Sequence, residues 1–456
     1  MLKSLLKKTN LIKFIGLIII RILYTSLVFN QLNGQLYAKD VSYGIAFNFI
    51  SEIWAMCVFL VLTFFYTRVR IRNTFIQYLT DILFIIYFIP INSAFSLNNT
   101  SLGFFLCSTF FCIILFCLIY LFGEFLFNKP KCKIKDISLL VDNWYIRVFC
   151  FLICVFLIAH KLMYNGLNFS LSIDATTVYA QRSAYHDYTQ SISGTLYAYL
   201  LSIVKNLSLM VIPYYFLISL INKKIVGIVA SIMAVVSMYA ISFEKANLLY
   251  FGIALILFVC YKLKLTNHIN ILLIIGVIAA ILFCFVETLI KGESSLFIVI
   301  IRRMMYLPAW ISNMYYDFFS QNPKVLWSQD VFLLKKFLTP VYDESILNII
   351  NNTYFKGAVP SPNTGLFAES YMHFGFSGTF IYTIIISVIV AVSGKIYNSK
   401  HSIIVILMAV QLAFSLINVP LTWTETVLSY FLFTFIIAVL SVLKTIKFKS
   451  KVLNIF

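Results

Sequence analysis

The sequence predicts an all-α polytopic membrane protein with about 12 transmembrane helices and two large external loops. Composition is the first observation behind this: 61% of the 456 residues are hydrophobic and 11% are charged, against about 25% charged in an ordinary soluble domain. The second is that the apolar residues arrive in blocks of about 18 to 22, enough for a helix rising about 1.5 Å per residue to cross a hydrocarbon layer of about 30 Å. The third is that basic clusters recur on every second connecting loop, as the positive-inside bias of membrane proteins requires.

The apolar runs, read against their charged breaks, place spans near 11–31, 45–66, 75–95, 103–127, 144–163, 195–219, 225–241, 247–262, 269–289, 375–394, 401–419 and 426–443. Because the runs are continuous, barrel strands, which alternate at every second residue, are excluded. Lys3, Lys7 and Lys8 precede the first run, but Arg21 interrupts it and no small-x-small cleavage site follows, so a retained span is expected in place of a signal peptide. The clusters Lys3/Lys7/Lys8, Arg68/Arg70/Arg72, Lys129/Lys131/Lys133/Lys135, Lys223/Lys224, Lys262/Lys264, Lys395/Lys400 and Lys444/Lys447/Lys449/Lys451 then share one side, the cytoplasm, together with both termini. A formal charge of +18 is thereby explained by topology, and nucleic acid is not an expected partner.

The nine cysteines lie in apolar runs or in loops assigned to the cytoplasm. Cys107, Cys112 and Cys117 repeat every fifth residue, wider than the close pairs of thiolate metal sites, so neither disulfides nor a metal is expected. The chain reads as a single integral membrane domain, 1–456, whose polar bulk sits in external loops 164–194 and 291–374. Loops of that length in a compact protein carry function or lack order, and the aromatic and apolar residues of these two can fold back as a cap.

Three stretches carry candidate chemistry. Tyr179-Ala-Gln-Arg182-Ser-Ala-Tyr185-His186-Asp187-Tyr188 sets Arg182 and His186 four residues apart, on one face if helical, where one can hold an anion and the other move a proton; the alternative is a solvated loop. Phe297-Ile-Val-Ile-Ile-Arg302-Arg303-Met-Met-Tyr306-Leu-Pro308-Ala-Trp310 resembles an amphipathic or re-entrant helix. Its two arginines face either a wet cavity with an anionic group or the interface, by snorkelling. Pro362, Asn363 and Gly365 predict a turn, followed by a short helix with Glu369 and His373 on one face before a span that begins near Gly375. Such a pair can serve as base and orienting partner for a hydroxyl, or can cap the bundle structurally. Lys245, beside Glu244 in a tight external turn, adds a further cation or a salt bridge. A lipid bearing phosphates and a sugar head would use all of these: the cations for its phosphates, and Trp310, Tyr315, Tyr316 and Asn363 for its glycan. Walker loops, dinucleotide fingerprints, metal cages and serine-hydrolase elbows are absent from the sequence, so the expected chemistry uses no cofactor.

Arg302-Arg303-x4-Pro308-Ala-Trp310-x4-Tyr315-Tyr316 and Asn363-x-Gly365-x3-Glu369-x5-Gly375-x2-Gly378, in a many-span chain with an arginine-bearing external loop, resemble the Wzy-type O-antigen or capsular repeat-unit polymerases. Some members carry Arg-x10-Gly motifs in two external loops, and here Arg182 precedes Gly194 with one residue more. The resemblance implies a metal-independent, C-type glycosyltransferase-like fold in the bacterial cytoplasmic (inner) membrane. It also implies transfer of a growing glycan from undecaprenyl pyrophosphate to the next lipid-linked repeat unit, at the external face, with a chain-length regulator as a further partner. In that reaction Arg302, Arg303, Arg182 and Lys245 would neutralise the pyrophosphate, and Glu369, His373 or His186 would deprotonate the acceptor hydroxyl. An O-antigen ligase, which uses the same donor, and a repeat-unit flippase are the competing readings.

Overall fold

The computed structural model describes residues 2–38, 41–69, 71–98, 100–127, 144–167, 175–242, 245–329, 331, 334, 337–357, 362–363, 365–397, 402–421 and 427–440. The basic runs at Lys129–Lys135, Lys400 and Lys444–Lys451, and also Glu244, lie outside the described residues. Helix dominates, and among the described residues eight helices are long and apolar enough to cross a membrane. Four shorter apolar helices, Ile225–Ile241, Ala246–Lys262, Ile403–Asn418 and Ser429–Leu440, stand where the sequence expects four of its spans.

The chain divides into two compact units. The first comprises Met1–Pro130, Asn267–Gly394 and Leu412–Trp423. It begins with α1 (Leu2–Leu32), a short antiparallel hairpin of β1 (Leu36–Ala38) and β2 (Val41–Ser42), and α2 (Phe49–Arg68). The Asn48 side chain caps α2 by accepting from the amides of Ile50 and Ser51 at 3.0 and 3.2 Å, which satisfies two of the donors that a helix start leaves open.

Next come α3 (Thr74–Leu83), a π-helical turn at Phe84–Phe88, α4 (Ile89–Leu97) and α5 (Leu102–Phe127). The rod from Thr74 to Leu97 is the unit's centre: 83% of its most apolar window is buried, against 17% for α2, whose exposed face carries Phe49, Ile50 and Trp54 as a lipid-facing helix would. The unit's later part holds α11 (Ile269–Lys291), a π-helical segment at Phe297–Tyr306, α12 (Leu307–Gln321), α13 (Ile346–Phe355), α14 (Phe367–Phe374) and α15 (Phe376–Ile396).

Both π-helical segments of this unit end two residues before a proline, Pro90 and Pro308. Proline lacks an N–H and its ring crowds the carbonyl four residues back, so the preceding turn widens to an i→i+5 pattern instead of breaking.

Arg21, in the middle of α1, is fully buried and entirely partnered. Its guanidinium donates to both carboxylate oxygens of Glu52 on α2, at 3.2 and 2.9 Å, to the Asn92 side-chain oxygen on α4 at 2.9 Å, and to the Thr25 hydroxyl. Ser96 adds a donor to Glu52 at 2.5 Å. An apolar interior tolerates such a charge only with this degree of satisfaction, so the residue that interrupts the first apolar run locks three helices together.

The second unit comprises Lys131–Thr266, Lys395–Gln411 and Thr424–Phe456. It contains α6 (Trp144–Asn165), α7 (Ala175–Ser191), α8 (Leu196–Ile221), α9 (Ile225–Ser242) and α10 (Lys245–Lys262). The loop expected at 164–194 is therefore largely a helix, α7, as the Arg182/His186 spacing allows. The eight described cysteines are free thiols.

Candidate active site

In the first unit the site grows from the start of the π-helical segment. Glu287, near the end of α11, accepts from the Ser294 and Ser295 hydroxyls at 2.8 and 2.6 Å and from the Leu296 amide at 3.3 Å, while the Ser294 hydroxyl accepts from the Phe297 amide at 3.1 Å. This nest of acceptors begins the helix where its orphan N–H groups need partners. Phe297, Ile301, Met305 and Tyr306 form its buried face. That face turns Arg302 to a half-buried flank and leaves Arg303 exposed, so the structure separates the two adjacent arginines.

Arg302 donates from Nη1 to the Tyr43 hydroxyl at 2.7 Å, and its Nε–H is buried without a partner. Tyr43 follows the β1–β2 hairpin and is fixed on several sides. Asn98 donates to its backbone oxygen at 3.1 Å and to the Tyr306 hydroxyl at 2.9 Å, and Tyr306 in turn donates to the same oxygen at 3.3 Å. Its ring packs against Tyr37, Tyr306 and Trp310, with centroids 5.4 to 5.8 Å apart. Burial raises the Tyr43 hydroxyl above its usual pKa against the opposing pull of Arg302. Trp310, expected to meet glycan, is buried in this cluster with Phe355 on its edge. Tyr37 is the half-buried ring of the group.

Of the other aromatic candidates, Tyr315 is buried and donates to the Pro362 carbonyl at 3.4 Å, whereas Tyr316 is half-buried with its ring 4.7 Å from that of Tyr371. Asn363 is half-buried.

The predicted short helix exists as α14, and the glycines around it have distinct jobs. A Cβ at Gly365 would collide with the Leu416 carbonyl, and one at Gly378 with the Ser370 carbonyl. Gly375 ends the helix at φ +61, which a side chain would strain. Leu366 starts the helix at φ +51 despite its bulk, a strained position held by packing.

Glu369 and His373 do share this helix, but they face inward, with exposures of 1% and 0%. Glu369 accepts from the Leu421 amide at 2.6 Å and from the Tyr382 hydroxyl at 3.4 Å. Tyr382 itself receives the Trp327 indole N–H at 3.0 Å. The Trp327 amide donates to His373 Nδ1 at 3.2 Å, which puts the imidazole proton on Nε2, a buried atom with no partner. Burial lowers His373 to a pKa of about 3, so it is neutral. Trp327 and Leu326 reach these positions with φ +64 and +51, pinned by donation from Val325 and Leu326 to the Met372 and His373 carbonyls at 3.1 and 3.2 Å. The carboxylate and imidazole are thus linked through Trp327 and Tyr382, with both carboxylate oxygens engaged, which is the arrangement of a structural keystone.

In the second unit, α7 carries Arg182, half-buried, and His186, exposed with Nε2 2.9 Å from the Gln190 amide nitrogen. Lys245 begins α10. A buried polar group here is one that sequence reasoning missed. His160 on α6 meets the Tyr197 hydroxyl through Nδ1 at 2.6 Å and the Tyr185 hydroxyl through Nε2 at 3.2 Å, with the Tyr164 and Tyr188 rings packed beside Tyr185. This holds α7 against α6 and α8. Tyr43, Trp327 and Tyr382 were likewise outside the sequence-predicted set; their partners lie far along the chain, and spacing carries no signal for them. Among the described residues no three His, Cys, Asp or Glu side chains gather as a metal site requires.

Comparison with family models, with curated proteins and with solved structures yields no match to this chain.

Proposed function

We propose that this chain is a multi-span glycosyltransferase of a bacterial cytoplasmic membrane. It would polymerise undecaprenyl-pyrophosphate-linked oligosaccharide repeat units into O-antigen or capsular polysaccharide at the external face. The observation that carries the reading is Arg302. A permanently charged guanidinium stands in a π-helical segment of the kind common at functional sites, oriented by a tyrosine hydroxyl, with a buried Nε–H still unpartnered. Transfer from a pyrophosphate asks chiefly for charge stabilisation and alignment of the leaving group, and a held arginine supplies both. Arg303, exposed beside it, and the half-buried Tyr316 and Tyr37 suit the outer part of such a substrate.

Arg182 and His186 on α7 make a second candidate, within the other unit, for holding an anion and accepting a proton. Of the three acid/base candidates, His186 is exposed whereas Glu369 and His373 are buried, so His186 is the one open to solvent.

The test is reconstitution of the purified protein in lipid nanodiscs with a defined undecaprenyl-pyrophosphate-linked repeat unit, followed by separation of products by length. Products of two, three and more repeat units on the carrier lipid are expected. Transfer only to a lipid A core acceptor would make it a ligase. Movement of intact substrate across proteoliposomes without new glycosidic bonds would make it a flippase.

A further inference from the structure

We infer that Tyr43 is the positioning residue for Arg302: its hydroxyl sets where the guanidinium points, and so where a lipid-linked pyrophosphate would be held. The inference rests on the reading of Arg302 given above, and it concerns a residue from a different stretch of the chain. Arg302 lies on a half-exposed helix flank, where a four-rotor side chain has many orientations of similar energy. One hydrogen bond selects among them, from Nη1 to the Tyr43 oxygen at 2.7 Å.

That oxygen is a fixed point. The Tyr43 ring is wedged between Tyr37, Tyr306 and Trp310, and its backbone is held by Asn98, Tyr306 and Gln35. The orienting element is therefore rigid where the oriented one is not, which is the arrangement that preorganises a charge. Because the Tyr43 oxygen accepts from Arg302, its own proton remains a donor beside the guanidinium.

Two measurements test this, one of them free of substrate. Phenylglyoxal modifies exposed guanidinium groups, and mass spectrometry reads the rate at Arg302 with the exposed Arg303 as an internal control. Tyr43→Phe keeps the ring packing and removes the hydroxyl. It should raise the Arg302 rate about threefold or more, leave Arg303 unchanged and leave the melting temperature within about two degrees, as for the loss of one hydrogen bond. Tyr43→His, whose ring stops short of Arg302, is the second variant and carries the same expectation should the first fail to accumulate. Alongside, binding of geranylgeranyl pyrophosphate should weaken about 3- to 30-fold in Tyr43→Phe, and Tyr43→Phe combined with Arg302→Lys should lose less than the two separately. An unchanged Arg302 modification rate overturns the positioning role whatever the binding shows. A raised rate in a protein whose wild type binds no prenyl pyrophosphate leaves Tyr43 as the positioning residue and removes the pyrophosphate reading.

Discussion

Replacement of Glu369 distinguishes a buried strut from a catalytic base. Glu369→Ala would strip two buried donors, the Leu421 amide and the Tyr382 hydroxyl, of their acceptor. Each such orphan costs about 1–3 kcal/mol, so about 2–6 kcal/mol in all, with a cavity added. Glu369→Gln is milder: its amide oxygen still serves Leu421, but its NH2 meets a Tyr382 oxygen that already accepts from Trp327. About 1–2 kcal/mol is expected from that mismatch, since losing a charged acceptor is partly offset by losing a buried charge. The assay is intrinsic-fluorescence melting in nanodiscs, together with polymerisation rate per folded molecule on purified lipid-linked substrate. Both variants should melt lower, Ala more than Gln, and Glu369→Gln should turn over at more than about a third of the wild-type rate, far from the 10²- to 10⁴-fold loss of a missing general base. A Glu369→Gln protein with wild-type melting and a hundredfold lower rate would refute the keystone assignment.

His373 makes stability pH-dependent in a stated direction. Its folded pKa is about 3, below the ordinary value of 6.5, so the unfolded chain binds the extra proton; stability is full above about pH 6.5 and falls as the pH drops toward 3. At pH 5 the loss from this residue is about 2 kcal/mol, and melting of a His373→Gln variant measured at pH 5 and pH 7.5 should lack that share. Arg302→Ala should abolish polymer with protein still in the membrane, whereas exposed Arg303→Ala should keep at least a tenth of the rate; product ladders from the two variants show whether the order is reversed. Gly365→Ala should lower folded yield severely, because its Cβ collides with a backbone carbonyl that cannot step aside, while Gly276→Ala, with open space around the position, should be silent; fluorescence-detected size exclusion compares them.

Much of this architecture is legible from local pattern. Apolar blocks forecast helices where the described residues hold eight apolar helices long enough to cross a membrane and four shorter ones, and the Pro362/Asn363/Gly365 stretch forecast a short helix ahead of Gly375, where α14 stands. Four-residue spacing put Glu369 and His373 on one face, but spacing says nothing about which way that face looks; the partners that turned it inward, Leu421, Trp327 and Tyr382, are distant in sequence. Arg302 and Arg303 read as a pair because adjacent residues look equivalent in one dimension, and the packed face of the π-helical segment gave them different surroundings. Pro90 and Pro308 were visible throughout, but a proline inside an apolar helix does not by itself announce a wide turn, since Pro213 stands inside α8 without one.

The buried partners of Arg21 also bear on how the chain is made. During synthesis α1 emerges before α2 and α4, and alone in lipid it would expose an arginine near its middle, at a cost of about 2.5–3.5 kcal/mol on the insertion scale. Its counter-charge, Glu52, arrives about thirty residues later and Asn92 about seventy residues later. The first helix is therefore a poor independent stop, better kept at the lateral gate of the insertion machinery until the second is ready to leave with it. Biogenesis would then proceed by release of a helical hairpin, charge already matched, and removal of Glu52 would be felt first as a failure of the nascent chain to settle in the bilayer.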